Sequence, residues 1–440
     1  MQSIKEAELL IEEEVLLPAR VAALFPDPGL RATLVQNRVL VPDKDGALRV
    51  RFVGVAVAGG RSFQILPKIF TASSTDVPST MRQVVRALRR YARWQPQHRD
   101  EAPFLDPTAS HTDLNALALA DWLIRDYLSA GIYRRLRDRE EISGSGQISW
   151  RRTIERMTPI LSAGRPVYVD TVTRSSARDR DYFVSRLHRQ IVESSARSFG
   201  HLLGYAPLNL DHEPFEPFGE MPALPLCQAR IRQEMREAFS DRAMQLLPML
   251  LAWLTAMDKA EDADLALYGT SSFYDVWEKA CALAVGNERE QWQVHIPRPK
   301  WRSADGREQM ADTFEPDIVT RIKDGAGEHL VIADAKYYRL SMPPYLKGQP
   351  GVNDVAKQLW YQRCLAGAAR ERGLDRTYNI FIVPGPEQEE GFWSDGQVDL
   401  AGLPETTVRV KRLSGLQALE RFADGVPLDV DRVRAVIMAA

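Results

Sequence analysis

Phe314-Glu315-Pro316-Asp317-Ile318-Val319, followed by Val331-Ile332-Ala333-Asp334-Ala335-Lys336-Tyr337-Tyr338, is the stretch on which the fold turns. Both pieces are short apolar runs rich in Val, Ile and Ala, the composition of strands buried in a sheet. Each carries a carboxylate. An extended chain alternates its faces, so Asp334 and Lys336 point one way and Ala335 the other. If Asp317 ends the neighbouring strand, two carboxylates and one ammonium converge on a small volume. Two like charges at close range oppose each other's ionisation unless a cation sits between them. Hard oxygen donors of this kind suit Mg²⁺, which polarises a phosphoryl oxygen and lowers the pKa of a bound water. A hairpin closed by a surface salt bridge is the plainer alternative.

Outward from this pair the order reads helix, strand, strand, strand, helix. Phe273–Ala284 forms the first helix, with Phe273, Val276, Trp277 and Ala280 on its apolar side and Glu278 at the edge of that side. Trp292–Ile296 reads as a strand, followed by a turn bearing Arg298, Lys300 and Arg302, which are suited to phosphates. Asp354–Ala368 reads as a helix on which Gln358 and Tyr361 share a face. Thr377–Val383 is a further core strand, and two strand-like pieces and a helix over 413–422 complete the tail.

The earlier chain divides into a small β-rich module over 1–110 and a mainly helical region over 111–262, leaving 263–440 for the core just described. In the first, residues 5–24 read as a helix broken at Pro18, and Val35–Val41, Leu48–Ala58 and Phe63–Ile69 read as strands. Gly54 marks a bulge or a close backbone contact. A helix from about Ser79 to Trp94 carries Arg82, Arg86, Arg89, Arg90 and Arg93, a set that tracks a phosphate backbone or simply faces solvent. In the middle region 113–136, 179–203 and 224–257 read as helices, the last interrupted near Pro248. Gly144 and Gly146, ahead of Trp150-Arg151-Arg152, suit a phosphate-holding turn or an ordinary surface turn.

With 440 residues and 45% apolar content the chain is long enough for several domains with a sizeable core. The formal net charge of −2 gives no global case for nucleic-acid binding, so any such surface is a local patch. Three cysteines without a CxxC pair argue against a zinc site or a disulfide framework and fit a reducing, cytoplasmic setting. The first residues are charged, so no apolar leader is expected, and no run is long and apolar enough for a membrane span. No GxxxxGK[ST] loop occurs, so any nucleotide hydrolysis belongs to a partner.

Pro316-Asp317 with Asp334-Ala335-Lys336 resembles the PD-(D/E)xK nuclease signature. The run Tyr268-Gly269-Thr270-Ser271-Ser272-Phe273-Tyr274-Asp275-Val276-Trp277-Glu278-Lys279-Ala280-Cys281 is similar to the helix upstream of the nuclease core in LlaJI-type restriction endonucleases. Gly144–Ile154 is similar to a further segment of that family, which lies within the wider McrC-like group. The resemblance implies an α/β chain with a C-terminal PD-(D/E)xK nuclease core that hydrolyses double-stranded DNA with Mg²⁺, or Mn²⁺ in its place. It implies Asp317, Asp334, the Ala335 carbonyl and Glu278 as the metal shell, and Lys336 as the residue that positions water or offsets charge. Gln358 and Tyr361 resemble the QxxxY-like helix that follows the catalytic lysine, with a different spacing. Gln64–Ile69 resembles a segment near the start of McrC-like proteins, which implies an McrB-like AAA+ NTPase partner. A double-strand break then requires self-association on DNA. A repair or recombination nuclease, and a non-catalytic DNA-binding scaffold, are the alternatives.

Overall fold

The computed structural model describes residues 7–59, 61–71, 76–94, 116–144, 147–178, 182–259, 265–386, 389–402 and 406–439. The boundaries expected at 110/111 and 262/263, the side chain of Arg93, and Gly146 lie outside them. The chain is an α/β protein with mixed sheets, and it divides into two compact units. One comprises residues 1–111, 202–204 and 263–440, and the other 112–201 and 205–262. Residues 1–110 and 263–440, read as separate parts from the sequence, therefore share one unit.

In the first unit a five-stranded sheet runs in the order Ile318–Lys323, Glu328–Ala335, Thr377–Pro384, Val408–Leu413, Phe392–Val398. The outer pairs are antiparallel and the two central pairings parallel. Glu328–Ala335 is buried along nearly its whole length, which is why its middle, Leu330–Ala333, is wholly apolar. Val319, Leu330 and Ile332 pack against Tyr361, Leu365, Ala368 and Ala369 of the helix Val352–Glu371. The helix Phe273–Val285 also packs on this strand and buries Val276, Trp277, Ala280 and Cys281.

A second sheet holds Glu8–Ile11, Arg61–Leu66, Val53–Ala58 and Leu265–Thr270, in that order. Leu265–Thr270 pairs antiparallel with Val53–Ala58, and Gly269 stands opposite Gly54. The start of the Tyr268–Cys281 run thus belongs to a strand, and the helix begins at Phe273, where the sequence places it. Gly54 has φ +140°, and a Cβ there would lie 2.1 Å from the Tyr268 carbonyl oxygen. No side chain fits this crossing without moving backbone. Gly54→Ala is expected to destabilise the protein by about 1–3 kcal/mol or more, read as a lower urea midpoint at unchanged slope.

Several expected elements differ. Trp292–Ile296 is a short helix over Arg289–Trp292 and a 3₁₀ turn over Gln293–His295. Trp292 and Ile296 enter the same core four residues apart, a helical spacing that two bulky residues in a short run disguise as strand. Pro18 does not break a helix but opens one, Pro18–Leu24, where its missing N–H costs nothing. Of the strand expected at Val35–Val41, the first two residues end the helix Pro28–Gln36, a turn follows, and only Leu40–Pro42 is strand. The helix Val430–Met438 was not anticipated.

The second unit is helical around a core of Leu119, Leu123, Leu187, Ile191, Leu246 and Leu250, with a small antiparallel sheet of Leu136–Ile142, Val172–Arg178 and Gln147–Ile148. Its helix 224–257 is broken at 238–240 rather than at Pro248, which lies inside Asp241–Lys259. Among the described residues no helix is long and apolar enough to cross a membrane.

Candidate active site

Ile318 pairs with Ala333, so Asp317 and Asp334 leave the sheet side by side at one end. Alternation puts Asp317 on the face of Val319 and Asp334 on that of Leu330 and Ile332, the face covered by the helix Val352–Glu371. The Ala335 N–H donates to Asp317 Oδ2 at 2.8 Å. Asn287 Nδ2 donates to the Asp317 carbonyl oxygen at 3.0 Å and fixes the backbone there. Lys336 extends the central pairing, since its N–H donates to the Ile382 carbonyl at 2.9 Å. Its Nζ lies 2.5 Å from Asp334 Oδ2 and 2.9 Å from Asp354 Oδ1.

Asp317, Asp334, Ala335 and Lys336 open on a cleft of about 590 Å³ that also holds Glu278, Glu315, Lys357, Tyr361 and, from the N-terminal part of the same unit, Glu12, Glu13, Arg51 and Lys68. The electrostatics follow from crowding. Burial, then the neighbouring Asp334 and Glu278 charges, push the Asp317 carboxyl up to about 9. Burial pulls Lys336 down, yet the Asp334 and Asp354 carboxylates outweigh it, so its net shift is upward. Burial, with Asp334 and Asp317 behind it, also raises Tyr361, whose hydroxyl donates to the Glu315 carbonyl at 2.9 Å.

Asp317, Asp334, Ala335 and Lys336 are therefore brought together. Glu278 faces the same cleft from its helix, and its nearest ion-pair partner is Lys279 at 3.8 Å. Among the described residues no three His, Cys, Asp or Glu side chains gather into a metal-holding group. The donor chemistry nonetheless fits a hard divalent ion. Two adjacent carboxylates oppose each other's charge, and Mg²⁺ keeps several waters while bound through one or two carboxylates and a substrate phosphate. Gln358 is fully buried, and neither end of its amide has a hydrogen-bond partner among the described residues. It is not one of the residues lining the cleft.

Two contributors escaped the sequence reading. Glu12 is buried, and accepts the Tyr337 hydroxyl at 2.6 Å and the Lys68 N–H at 3.1 Å. Burial raises its pKa against those bonds. Lys68 Nζ lies 4.6 Å from the centre of the Tyr337 ring. Glu12 carries no local signal, being more than three hundred positions from Tyr337. Asp354 did carry one. It stands four residues before Gln358 and seven before Tyr361, on the stripe of its helix that faces the sheet.

The model of the LlaJI restriction endonuclease family matches residues 52–438, most of the chain. The Bacillus subtilis (strain 168) protein described as type II restriction enzyme BsuMI component YdjA is 26% identical over 436 residues, covering 97% of this chain and 91% of that protein. Among solved structures, a half-complex of Thermococcus gammatolerans McrB AAA+ hexamers with bound McrC contains a chain 13% identical. The match covers 95% of this chain and 99% of that one, at a TM-score of 0.36. A cryo-EM structure of the Thermococcus gammatolerans McrBC complex matches at 14% identity over 58% of this chain and 88% of that one, at a TM-score of 0.21. Both superpositions are too loose to bear on fold or partners. The family match spans both the Asp317–Lys336 site and the helical second unit, and on it the chain belongs to the LlaJI restriction endonuclease family.

Proposed function

We propose that this chain is the metal-dependent DNA endonuclease subunit of a restriction system, with a PD-(D/E)xK centre at Asp317, Asp334 and Lys336. The observation that carries the proposal is the meeting of those three side chains at the end of two paired strands, open to a cleft. Asp317 and Asp334 would hold Mg²⁺ or Mn²⁺, with the Ala335 carbonyl and Glu278 completing the protein's share. Such an ion, when bound, polarises the phosphodiester and acidifies water. The chain's own residues do the rest. The Ala335 N–H and Asn287 fix Asp317 in place. Lys336, kept charged by its two carboxylates, donates to the attacking water or to a phosphate oxygen as negative charge develops. Lys68, Lys357 and Arg51 in the same cleft offer charge to flanking phosphates.

An McrB-like AAA+ NTPase is the proposed partner. It rests on the McrC-like resemblance of residues 64–69 and on a chain that carries no Walker A loop. Each chain contributes one centre and cuts one strand, so a double-strand break needs two copies on the DNA.

The test is cleavage of plasmid DNA with Mg²⁺, with and without any NTPase encoded beside this gene and its nucleotide. The expected result is cutting that needs partner and nucleotide and stops when EDTA removes the metal. Cutting without a partner would favour the repair or recombination reading. Retained DNA binding without cutting in any condition would favour the scaffold.

A further inference from the structure

Lys336 is held by two carboxylates, of which only Asp334 is assigned to the metal. The second, Asp354, lies in the first turn of the helix Val352–Glu371. Its two oxygens do separate jobs. Oδ2 accepts the Gly351 N–H at 3.0 Å, the ordinary task of an acid at a helix start, while Oδ1 stands 2.9 Å from Lys336 Nζ. Both partners of this pair are largely buried, with side chains 16% and 19% exposed, so solvent screens the pair little.

We infer that Asp354 is a positioning residue, which together with Asp334 grips the Lys336 ammonium and fixes where its remaining N–H meets the substrate. The inference rests on the nuclease reading above. An ammonium has three N–H groups on a flexible four-carbon stem. One carboxylate partner leaves the group free to rotate about that contact. Two partners occupy two of the three donors, and tetrahedral geometry then dictates the direction of the third. Lys336 lines the cleft and Asp354 does not, so Asp354 acts on the reaction only through the lysine. It also sits over the site because the helix stripe that buries Tyr361 and Leu365 brings it there, and the positive end of the helix dipole favours its charge.

The test compares Asp354→Asn with wild type. Asparagine keeps an oxygen for the Gly351 N–H, so a purely capping residue tolerates the change. The expected result is a single-turnover cleavage rate lowered about 10- to 100-fold, with DNA affinity unchanged. In a Lys336→Gln background the same change should cost less than about twofold, because its target is already gone. Unchanged cutting by Asp354→Asn, or an equal loss in both backgrounds, would overturn the inference. A second measurement needs no activity: acetic anhydride labelling read by peptide mass spectrometry, with the exposed Lys347 as internal reference. Lys336 should react slowly in wild type and severalfold faster in Asp354→Asn, and equal reactivity in the two proteins would overturn the clamp. If wild type cuts under no condition, the nuclease reading fails and the labelling still decides whether the clamp exists.

Discussion

Asp334→Asn is expected to lower Mg²⁺-dependent cleavage by on the order of 10²- to 10³-fold or more, while DNA binding persists and the protein melts no earlier than wild type. The change removes a hard oxygen charge from beside Asp317 and keeps the shape of the side chain. It also removes a source of the repulsion that opposes Asp317 ionisation, so the fold loses little. Lys336→Gln should lose cutting to a similar extent but also lose stability, because Asp334 and Asp354 are then left without the cation that joins them. Single-turnover cleavage and thermal melting separate the two. Cutting by Asp334→Asn at the wild-type rate would sink the catalytic assignment and return the site to a salt-bridged hairpin.

A second large effect concerns pH. Burial and the neighbouring carboxylates push the Asp317 carboxyl up to about 9 in the folded, metal-free chain, against about 3.9 when unfolded. Between those values the folded state holds a proton that the unfolded state has released. Metal-free stability therefore falls as pH rises from about 4 to about 9, and the contribution is complete only below the unfolded value. Asp317→Asn mimics the protonated form. It is expected to stabilise the metal-free protein by on the order of a few kcal/mol at pH 8.5 and by little at pH 4.5. Urea denaturation at the two pH values measures this, and parallel curves for the two proteins would contradict the assignment. Saturating Mg²⁺ should narrow the difference at high pH, because a cation between the carboxylates favours the ionised wild type.

The convergence of Asp317, Asp334 and Lys336 was legible because strand alternation has a strict period and both runs are buried where they meet, at Ile318–Thr320 and Leu330–Asp334. The helix Phe273–Val285 was legible for the same reason, its apolar positions falling at helical spacing. Trp292–Ile296 misled because five residues are too few to separate the two periods. Leu265–Thr270 has no reading of its own in the sequence, because a strand that joins a distant sheet takes its meaning from a partner some two hundred positions away. Asp354 is read from the sequence only as the start of a helix, although its place in register with Gln358 and Tyr361 puts a carboxylate on a buried stripe. Glu12 could not be found at all, since only the tertiary fold brings it to Tyr337.

The pairing of Val53–Ala58 with Leu265–Thr270 also bears on how the chain is made. On a ribosome the first strand is synthesised long before the second emerges, and the whole helical second unit is translated in between. Until then Val53–Ala58 presents a bare apolar edge on one side, the kind of edge that recruits other chains. The helical unit, whose core draws only on its own residues, can fold during that delay. Premature termination anywhere between the two strands leaves the edge permanently open, so incomplete chains of this protein are expected to aggregate rather than to persist as soluble fragments.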